Sequence, residues 1–263
     1  MKLSIITINY NDAKGLEKTI NSVVSQTFKD FQYIVIDGGS KDKSQSVIEK
    51  YANQISYWVS EPDKGIYNAM NKGIAQAIGQ YVLFINSGDT LYNNDVVSRV
   101  IPLLKDFDLI SGHTNLIKDG GSLIVKSRQQ VTFKDLFRYS IDHPSTFIKR
   151  KLFDEIGFYD ESLKIISDWK WFIIALAKYN VSYQPIDVII STFVFDGISS
   201  LPENRAKLLA ERKQVLEKEF PFFIEDYKTL VEYEEPAKNF MKLKNSGWVK
   251  LGRKIGLMKN VRF

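Results

Sequence analysis

Within the first 86 residues, four short apolar runs alternate with three segments whose apolar residues recur at helical spacing, and few folds accept that rhythm. The runs LSIITINY (3–10), FQYIVID (31–37), ISYWVS (55–60) and YVLFIN (81–86) are rich in β-branched and aromatic residues, as parallel strands covered on both faces should be. Between them, GLEKTINSVVSQ, DKSQSVIEKYANQ and IYNAMNKGIAQAI carry the helical pattern. The alternation predicts an α/β fold: an open, mostly parallel twisted sheet with helices on both faces. In such a sheet ligands sit beyond the carboxyl ends of the strands, where the connections diverge. The unusual residues of this chain, NYND, DGGSKD, SEPDKG and NSGD, fall at those ends, which points to a nucleotide or sugar-phosphate site.

The second half is less regular. Residues 107–112 and 122–125 read as strands around the turn KDGG, and 143–180 as a strand, a short helix, a loop and a longer helix beginning near Asp168. VSYQPIDVIISTFVF (181–195) reads as two more strands, and 202–220 as a charged amphipathic helix. This organisation predicts one catalytic domain, 1–200, followed by a helical, basic C-terminal extension, 201–263. The 263 residues suffice for a sizeable core, and no stretch approaches the 18 to 20 apolar residues that a membrane span needs. The absence of Cys removes disulfides, thiolate metal sites and a thiol nucleophile. The start, MKLSIITINYND, alternates like a strand and lacks the features of a secretory signal, so a cytoplasmic location is the expectation.

Local sequence leaves the chemistry open. Gly38 and Gly39 let the backbone approach a ligand closely, and Ser40 with Asp42 suits a helix start that favours an anion. Neither GxGxxG nor GxxxxGK[ST] occurs, so a dinucleotide fingerprint and a P-loop are both unsupported. Taken alone, DGGS is better explained by a plain strand-to-helix turn.

Taken in order, SIITINYN, SVVSQTFKDFQYIVIDGGSKD, SEPDKGIYNAMNKGIAQAIGQYVLFINSGDTL and HPSTFIKRKLFDEIGFYDESLKIISDWKWF resemble the family 2 glycosyltransferases, with the GT-A fold, over residues 1–200. The resemblance implies an inverting, metal-dependent transferase that uses a nucleotide-sugar donor. It places Tyr10 where an aromatic ring packs on the donor base, and Asp37 at the first acid of the family's Asp-Asp-Gly-Ser turn. The second acid, which reads the base edge in relatives, is Gly38 here, so base readout falls to other groups. Asp63, Asn71 and Lys72 match positions that contact the nucleotide or diphosphate; without the resemblance Asp63 reads as a turn residue and Lys72 as a solvated charge.

The family's acidic motif commonly reads Asp-x-Asp-Asp, and here it reads Asn86, Ser87, Gly88, Asp89. The resemblance sets Ser87 among the donor-binding residues and leaves Asp89 as the one carboxylate to hold Mn²⁺ or Mg²⁺, which fill their shells largely with oxygens of phosphate and water. The plainer alternative makes Asp89 a turn residue or the N-cap of a helix near Asn93. Asp168 matches the base that takes the acceptor proton, against the alternative of a helix N-cap; Asp160 and Glu161 stand in reserve. His143 is read as lining the site, or else as a buried imidazole. Trp169 and Trp171 are two apart on a helix and cannot share a face, so Trp169 is kept as an acceptor-side residue while core packing competes. FDGIS (195–199) is read either as presenting Ser199 to the donor phosphate or the acceptor, or as a loop with no ligand.

From Lys238 to Phe263 there are eight Lys or Arg and no Asp or Glu, interleaved with Trp248 and other apolar residues. Such a segment suits an anionic membrane surface or another polyanion, and is equally well read as a solvated basic helix or a frayed tail. Nucleic acid is not expected, because the remaining charge is nearly balanced and no recognition motif occurs. The reading is a transferase moving sugar from a nucleotide-sugar, with UDP favoured, to a saccharide acceptor, lipid-linked, in surface polysaccharide synthesis at the inner face of the cell membrane. The alternatives are a non-catalytic nucleotide-sugar or lipid-surface binding module, and a nucleotidyltransferase on a similar sheet.

Overall fold

The computed structural model describes residues 1–118, 120–194 and 201–254. Strand β1 (Leu3–Asn9) leads into helix α1 (Ala13–Val24), β2 (Gln32–Asp37) into α2 (Ser44–Lys50) and β3 (Tyr57–Ser60) into α3 (Ile66–Gln76), and β4 (Tyr81–Phe84) follows. Beyond it come β5 (Thr90–Leu91), α4 (Val96–Val100), β6 (Leu109–Lys118), β7 (Gly121–Val125), α5 (Phe133–Arg138) and β8 (Thr146–Lys149). Helices α6 (Lys151–Ile156) and α7 (Ser167–Ala177) precede β9 (Tyr183–Val194), and α8 (Arg205–Glu219), α9 (Pro221–Asn245) and α10 (Gly247–Lys254) complete the described chain.

The strands form one sheet in the order β3-β2-β1-β4-β8-β6-β9-β5, with β7 hydrogen-bonded to β6. The first four are parallel, as the apolar runs predict. The second half is mixed: β8 is antiparallel to both β4 and β6, β9 is parallel to β6, and β5 is antiparallel to β9. Residues 181–195 were expected to form two strands, and within them the structure has one, β9. Pro185 and Asp187 suggest a break, yet the strand absorbs them through a register shift opposite Ser111 and His113.

Both faces of the parallel half are covered. On one, Leu16, Ile20 and Val23 of α1, at one helical face, pack with Leu3, Ile5, Tyr33, Val35 and Leu83. On the other, α3 comes so close that a Cβ on Gly73 would stand 2.5 Å from Ile6 Cγ2. Every residue of β1, β2 and β4 is buried, and a fully buried Leu or Ile side chain contributes about 1.5–3 kcal/mol, so these strands dominate the stability of the sheet.

The chain divides into two compact units, Met1–Glu211 and Arg212–Phe263. The second is helical and presents large exposed apolar side chains, among them Phe222, Tyr233, Trp248 and Leu251. No helix among the described residues is long and apolar enough to cross a membrane.

Candidate active site

Register brings the last residues of three parallel strands into one row, because Asn9 stands opposite Asp37 and Asp37 opposite Ser60. Asp37 is fully buried in that row. Asn9 Nδ2 donates to its Oδ1 at 2.7 Å and Ser40 Oγ at 2.6 Å, while Ser60 Oγ and the Ser40 N–H donate to Oδ2 at 2.6 and 2.9 Å. Burial raises the Asp37 pKa, but the bonds from Ser40, Ser60 and Asn9 outweigh burial and hold it below the ordinary value. A depressed folded pKa contributes stability above the unfolded pKa of about 3.9, and that contribution is lost as pH falls through the folded value. Asp37→Asn turns an amide onto donors that need an acceptor and is expected to lower stability at pH 7 by about 2 kcal/mol. Urea unfolding at pH 7 and pH 3 should show the gap from wild type narrowing in acid. With its oxygens spent on the chain itself, Asp37 shapes the turn that carries Gly38 to Ser40.

Three sequence-predicted residues converge above this row. A Cβ on Gly38 would press on Asp63 Oδ2 and lie 3.2 Å from Tyr10 Cδ2, so a side chain here would displace the Asp63 carboxylate. Tyr10 is 65 % exposed at the end of β1, an aromatic face left open to a ligand. Asp63 is half-buried, and its Oδ1 accepts the Gly65 N–H at 2.8 Å. Lys72 reaches back over the same loop, ion-paired with Glu61 at 2.7 Å and donating to the Pro62 carbonyl at 3.3 Å. Asn71 does not join them. It donates to the Tyr159 carbonyl and to Glu161 and accepts from the Tyr159 N–H, so its side chain fastens α3 to the loop before α7 and has nothing left for a nucleotide.

The turn after β4 lies beside the start of α1. Ser87 Oγ donates to Asp12 Oδ2 at 3.0 Å, while Asp12 Oδ1 caps α1 by accepting the Gly15 N–H at 2.9 Å. Gly88 sits at φ 95°, the left-handed region that favours glycine. Asp89 is buried; its backbone N–H donates to the Asn86 carbonyl and its own carbonyl accepts from Thr19 Oγ1. It caps no helix: α4 begins later, after Asp95. Asn86 Oδ1 is buried with no hydrogen-bond partner among the described residues. An orphaned amide oxygen three residues from a carboxylate is an all-oxygen donor set, which fits Mg²⁺ or Mn²⁺. Among the described residues no three Asp, Glu or His gather to hold a metal alone, so such an ion needs further oxygens from its ligand.

Asp168 lies in the first turn of α7 and is partly exposed. Tyr67 Oη, from the first turn of α3, has one hydrogen and two acceptors within reach, Asp168 Oδ1 at 2.9 Å and the Ile165 carbonyl at 2.7 Å. Burial, and then the Asp168 charge, push the Tyr67 phenol well above its ordinary value, so it stays a donor. The loop ahead of Asp168 is held from α8, where Glu211 accepts the backbone N–H groups of Lys164 and Ile165, each at 3.0 Å. The reserve carboxylates are committed elsewhere. Asp160 pairs with Lys170 at 2.7 Å; burial opposes ionisation, but the Lys170 and Ser162 bonds prevail and bring its pKa down to about 2. Glu161 accepts from both Asn68 and Asn71.

Two expected site-lining residues belong to the interior. His143 is buried, stacks on Phe84 at 4.8 Å between ring centroids and shares a hydrogen bond with Tyr159 Oη at 2.9 Å. Burial lowers its pKa, only partly opposed by the Asp168 charge, so the imidazole is neutral. Trp169 is 1 % exposed and donates its indole N–H to the Leu136 carbonyl; Trp171 is also buried and donates to the Gly157 carbonyl. No sugar can stack on either ring. Ser199 lies outside the described residues. Tyr67, Asp12 and Glu211 were missed by sequence reasoning; only Asp12 carried a local signal, an Asp just before a helix.

Residues 4–167 match Glycosyl transferase family 2. The chain is 31 % identical over 215 residues to an uncharacterized glycosyltransferase of Mycobacterium tuberculosis, covering 78 % of this chain and 79 % of that one. It is 28 % identical over 209 residues to a PGL/p-HBAD biosynthesis glycosyltransferase of Mycobacterium bovis, covering 75 % and 78 %. In fold it resembles S. aureus TarS 1–349, crystallised with UDP-GlcNAc, at a TM-score of 0.62 and 22 % identity. It also resembles the mannosyltransferase PcManGT from Pyrobaculum calidifontis, in complex with GDP-Man and Mn2+, at 0.56 and 17 %. The alignments cover 74 % of this chain in both cases but only 58 % and 57 % of those two chains. By the extent of these matches and by a GT-A-type mixed sheet with a helical C-terminal region, this chain belongs to glycosyl transferase family 2.

Proposed function

We propose that the protein transfers a sugar, with inversion, from a nucleotide-sugar to a saccharide acceptor, lipid-linked, in the assembly of a surface polysaccharide or glycolipid. The observation that carries this reading is the Tyr67–Asp168 hydrogen bond of 2.9 Å. It ties a carboxylate at the start of α7 to the first turn of α3, four residues after Asp63, at the edge of the sheet where Tyr10 and Gly38 also lie.

In this reading the donor base lies on Tyr10, and Lys72 and Ser87 lie along its phosphates. Asp168 accepts the acceptor's hydroxyl proton as that oxygen bonds to the anomeric carbon; the bond from that carbon to the diphosphate breaks on the opposite face and the nucleoside diphosphate leaves. Tyr67 and the loop held by Glu211 keep the Asp168 carboxylate oriented through the step. Asp89, with the Asn86 amide oxygen, would hold a divalent cation together with the donor, and when bound such an ion would supply positive charge to offset that of the leaving group. Support for the donor class comes from the neighbours solved with UDP-GlcNAc and with GDP-Man, and for the acceptor class from the relative named for PGL/p-HBAD biosynthesis.

The purified protein, given a panel of UDP- and GDP-sugars with Mn²⁺ and a lipid-linked saccharide, is expected to release nucleoside diphosphate and form a product of inverted anomeric configuration by NMR. Release of pyrophosphate instead would indicate a nucleotidyltransferase, and binding without turnover a non-catalytic module. The basic C-terminal segment is proposed to rest on an anionic membrane at the inner face of the cell membrane, since Trp248 is 84 % and Leu251 49 % exposed beside Lys250 on α10. Removal of residues 238–263 should abolish co-sedimentation with vesicles containing anionic lipid; unchanged sedimentation would refute the docking.

A further inference from the structure

Helix α9 carries an exposed apolar seam interrupted by two charges. Its residues Ile224 and Tyr227 are buried, whereas Leu230 and Tyr233 are each 67 % exposed. From Asp226, steps of 4, 3, 4, 3 and 4 residues lead through Leu230, Tyr233, Ala237 and Phe240 to Lys244, the heptad rhythm that keeps one seam on one side of a helix. Pro236 lies beside that seam and not in it. Asp226 and Lys244 stand nine residues either side of Glu235 and have opposite charge. Neither makes an ion pair among the described residues, although their neighbours do: Lys228 pairs with Glu225 at 2.6 Å and Lys238 with Glu234 at 2.9 Å. The same polarity runs through the whole helix, because residues 225–235 hold five acids and one Lys, and residues 238–244 three Lys and no acid.

A seam with an acid near one end and a base equally far beyond its middle is complementary to itself reversed. Turned end for end, a second α9 sets Asp226 opposite Lys244 twice, Leu230 opposite Phe240 and Tyr233 opposite Ala237. We propose that α9 pairs with the α9 of a second copy of this chain as an antiparallel coiled coil, closing a two-fold symmetric dimer. Nothing in this pairing depends on the transferase reading. A parallel pair would put acid on acid and base on base. A slip of one heptad would bury both charges against apolar side chains, so Asp226 and Lys244 fix direction and register together. An anionic lipid surface suits the seam less well, because it would repel the acidic half. The eighteen steps from Asp226 to Lys244 make about 27 Å of helix, a short seam, and dissociation is expected at about micromolar concentration.

Sedimentation velocity on the full chain from about 1 to 100 μM reads the pairing, and wild type should pass from monomer to dimer within that range. Asp226→Lys and Lys244→Asp should each move the midpoint upward by at least about tenfold, since each sets like charges opposite each other. The double variant Asp226→Lys/Lys244→Asp should return to within about threefold of wild type, and an equimolar mixture of the two single variants should dimerise where neither does alone. Either recovery also shows that the single substitutions left the helix folded. Direction is read separately: the chain has no Cys, so Leu230→Cys and Phe240→Cys report it through a short bis-maleimide. Mixed together, these two variants should cross-link to each other, and neither to itself. A self-cross-link, a wild type that stays monomeric throughout, or charge swaps that leave the dimer unchanged overturns the pairing. So does a monomeric chain in which Leu230→Glu or Tyr233→Glu abolishes co-sedimentation with anionic vesicles, which would assign the seam to a lipid surface instead.

Discussion

Asp168→Asn is expected to lower kcat by about a thousandfold, within the range of about 10² to 10⁴ that a positioned general base supplies, with donor affinity unchanged. The amide keeps the shape and still accepts from Tyr67, so a loss of rate here reports the missing proton acceptor rather than a collapsed site. Steady-state rates and direct donor binding separate the two. Asp160→Asn and Glu161→Gln are the controls, since those carboxylates are engaged by Lys170 and Ser162 or by Asn68 and Asn71. Full activity in Asp168→Asn, or its abolition by either control with the fold intact, would remove Asp168 from its role.

Asp89→Ala is expected to cost about two orders of magnitude in kcat/KM. A metal that stabilises a leaving diphosphate contributes several kcal/mol, and each 1.36 kcal/mol is tenfold in rate. Wild type treated with EDTA should fall to a similar level and recover with Mn²⁺, whereas the variant should respond to neither. Because the proposed site draws at most one carboxylate and one amide oxygen from this turn, Mn²⁺ should bind the free protein weakly and tighten when UDP or GDP is present. Electron paramagnetic resonance titration reads this directly, and tight Mn²⁺ binding without nucleotide would falsify the shared-shell account.

The parallel half of the fold was legible because burial on both faces writes itself into the sequence as apolar runs, and the polar residues at their carboxyl ends then mark the site. The mixed half was not, since short strands such as β5 and a bulged strand carrying Pro185 have no local signature. Motif position singled out His143, Trp169 and Asn71 but could not say which way their side chains turn; His143 and Trp169 are buried, and Asn71 holds a loop. Asp63 was legible as a residue of interest, while its contact with Gly38 spans 25 positions and exists only once two loops are folded together. Glu211 gave no sign at all, being one acid in a charged helix whose bond partners are backbone N–H groups nearly fifty residues earlier.

The Glu211 clamp sets an order of events during synthesis. The last of the quoted family motifs is complete at residue 172, when the strands of the parallel half have all been synthesised. The backbone ahead of Asp168 gains its second anchor only after forty more residues, when α8 has coiled and turned Glu211 inward. A nascent chain or a fragment cut near residue 200 thus holds the quoted motifs while the loop ahead of Asp168 lacks its Glu211 anchor, so in the proposed reading the ability to grip a nucleotide should mature earlier than the ability to turn it over.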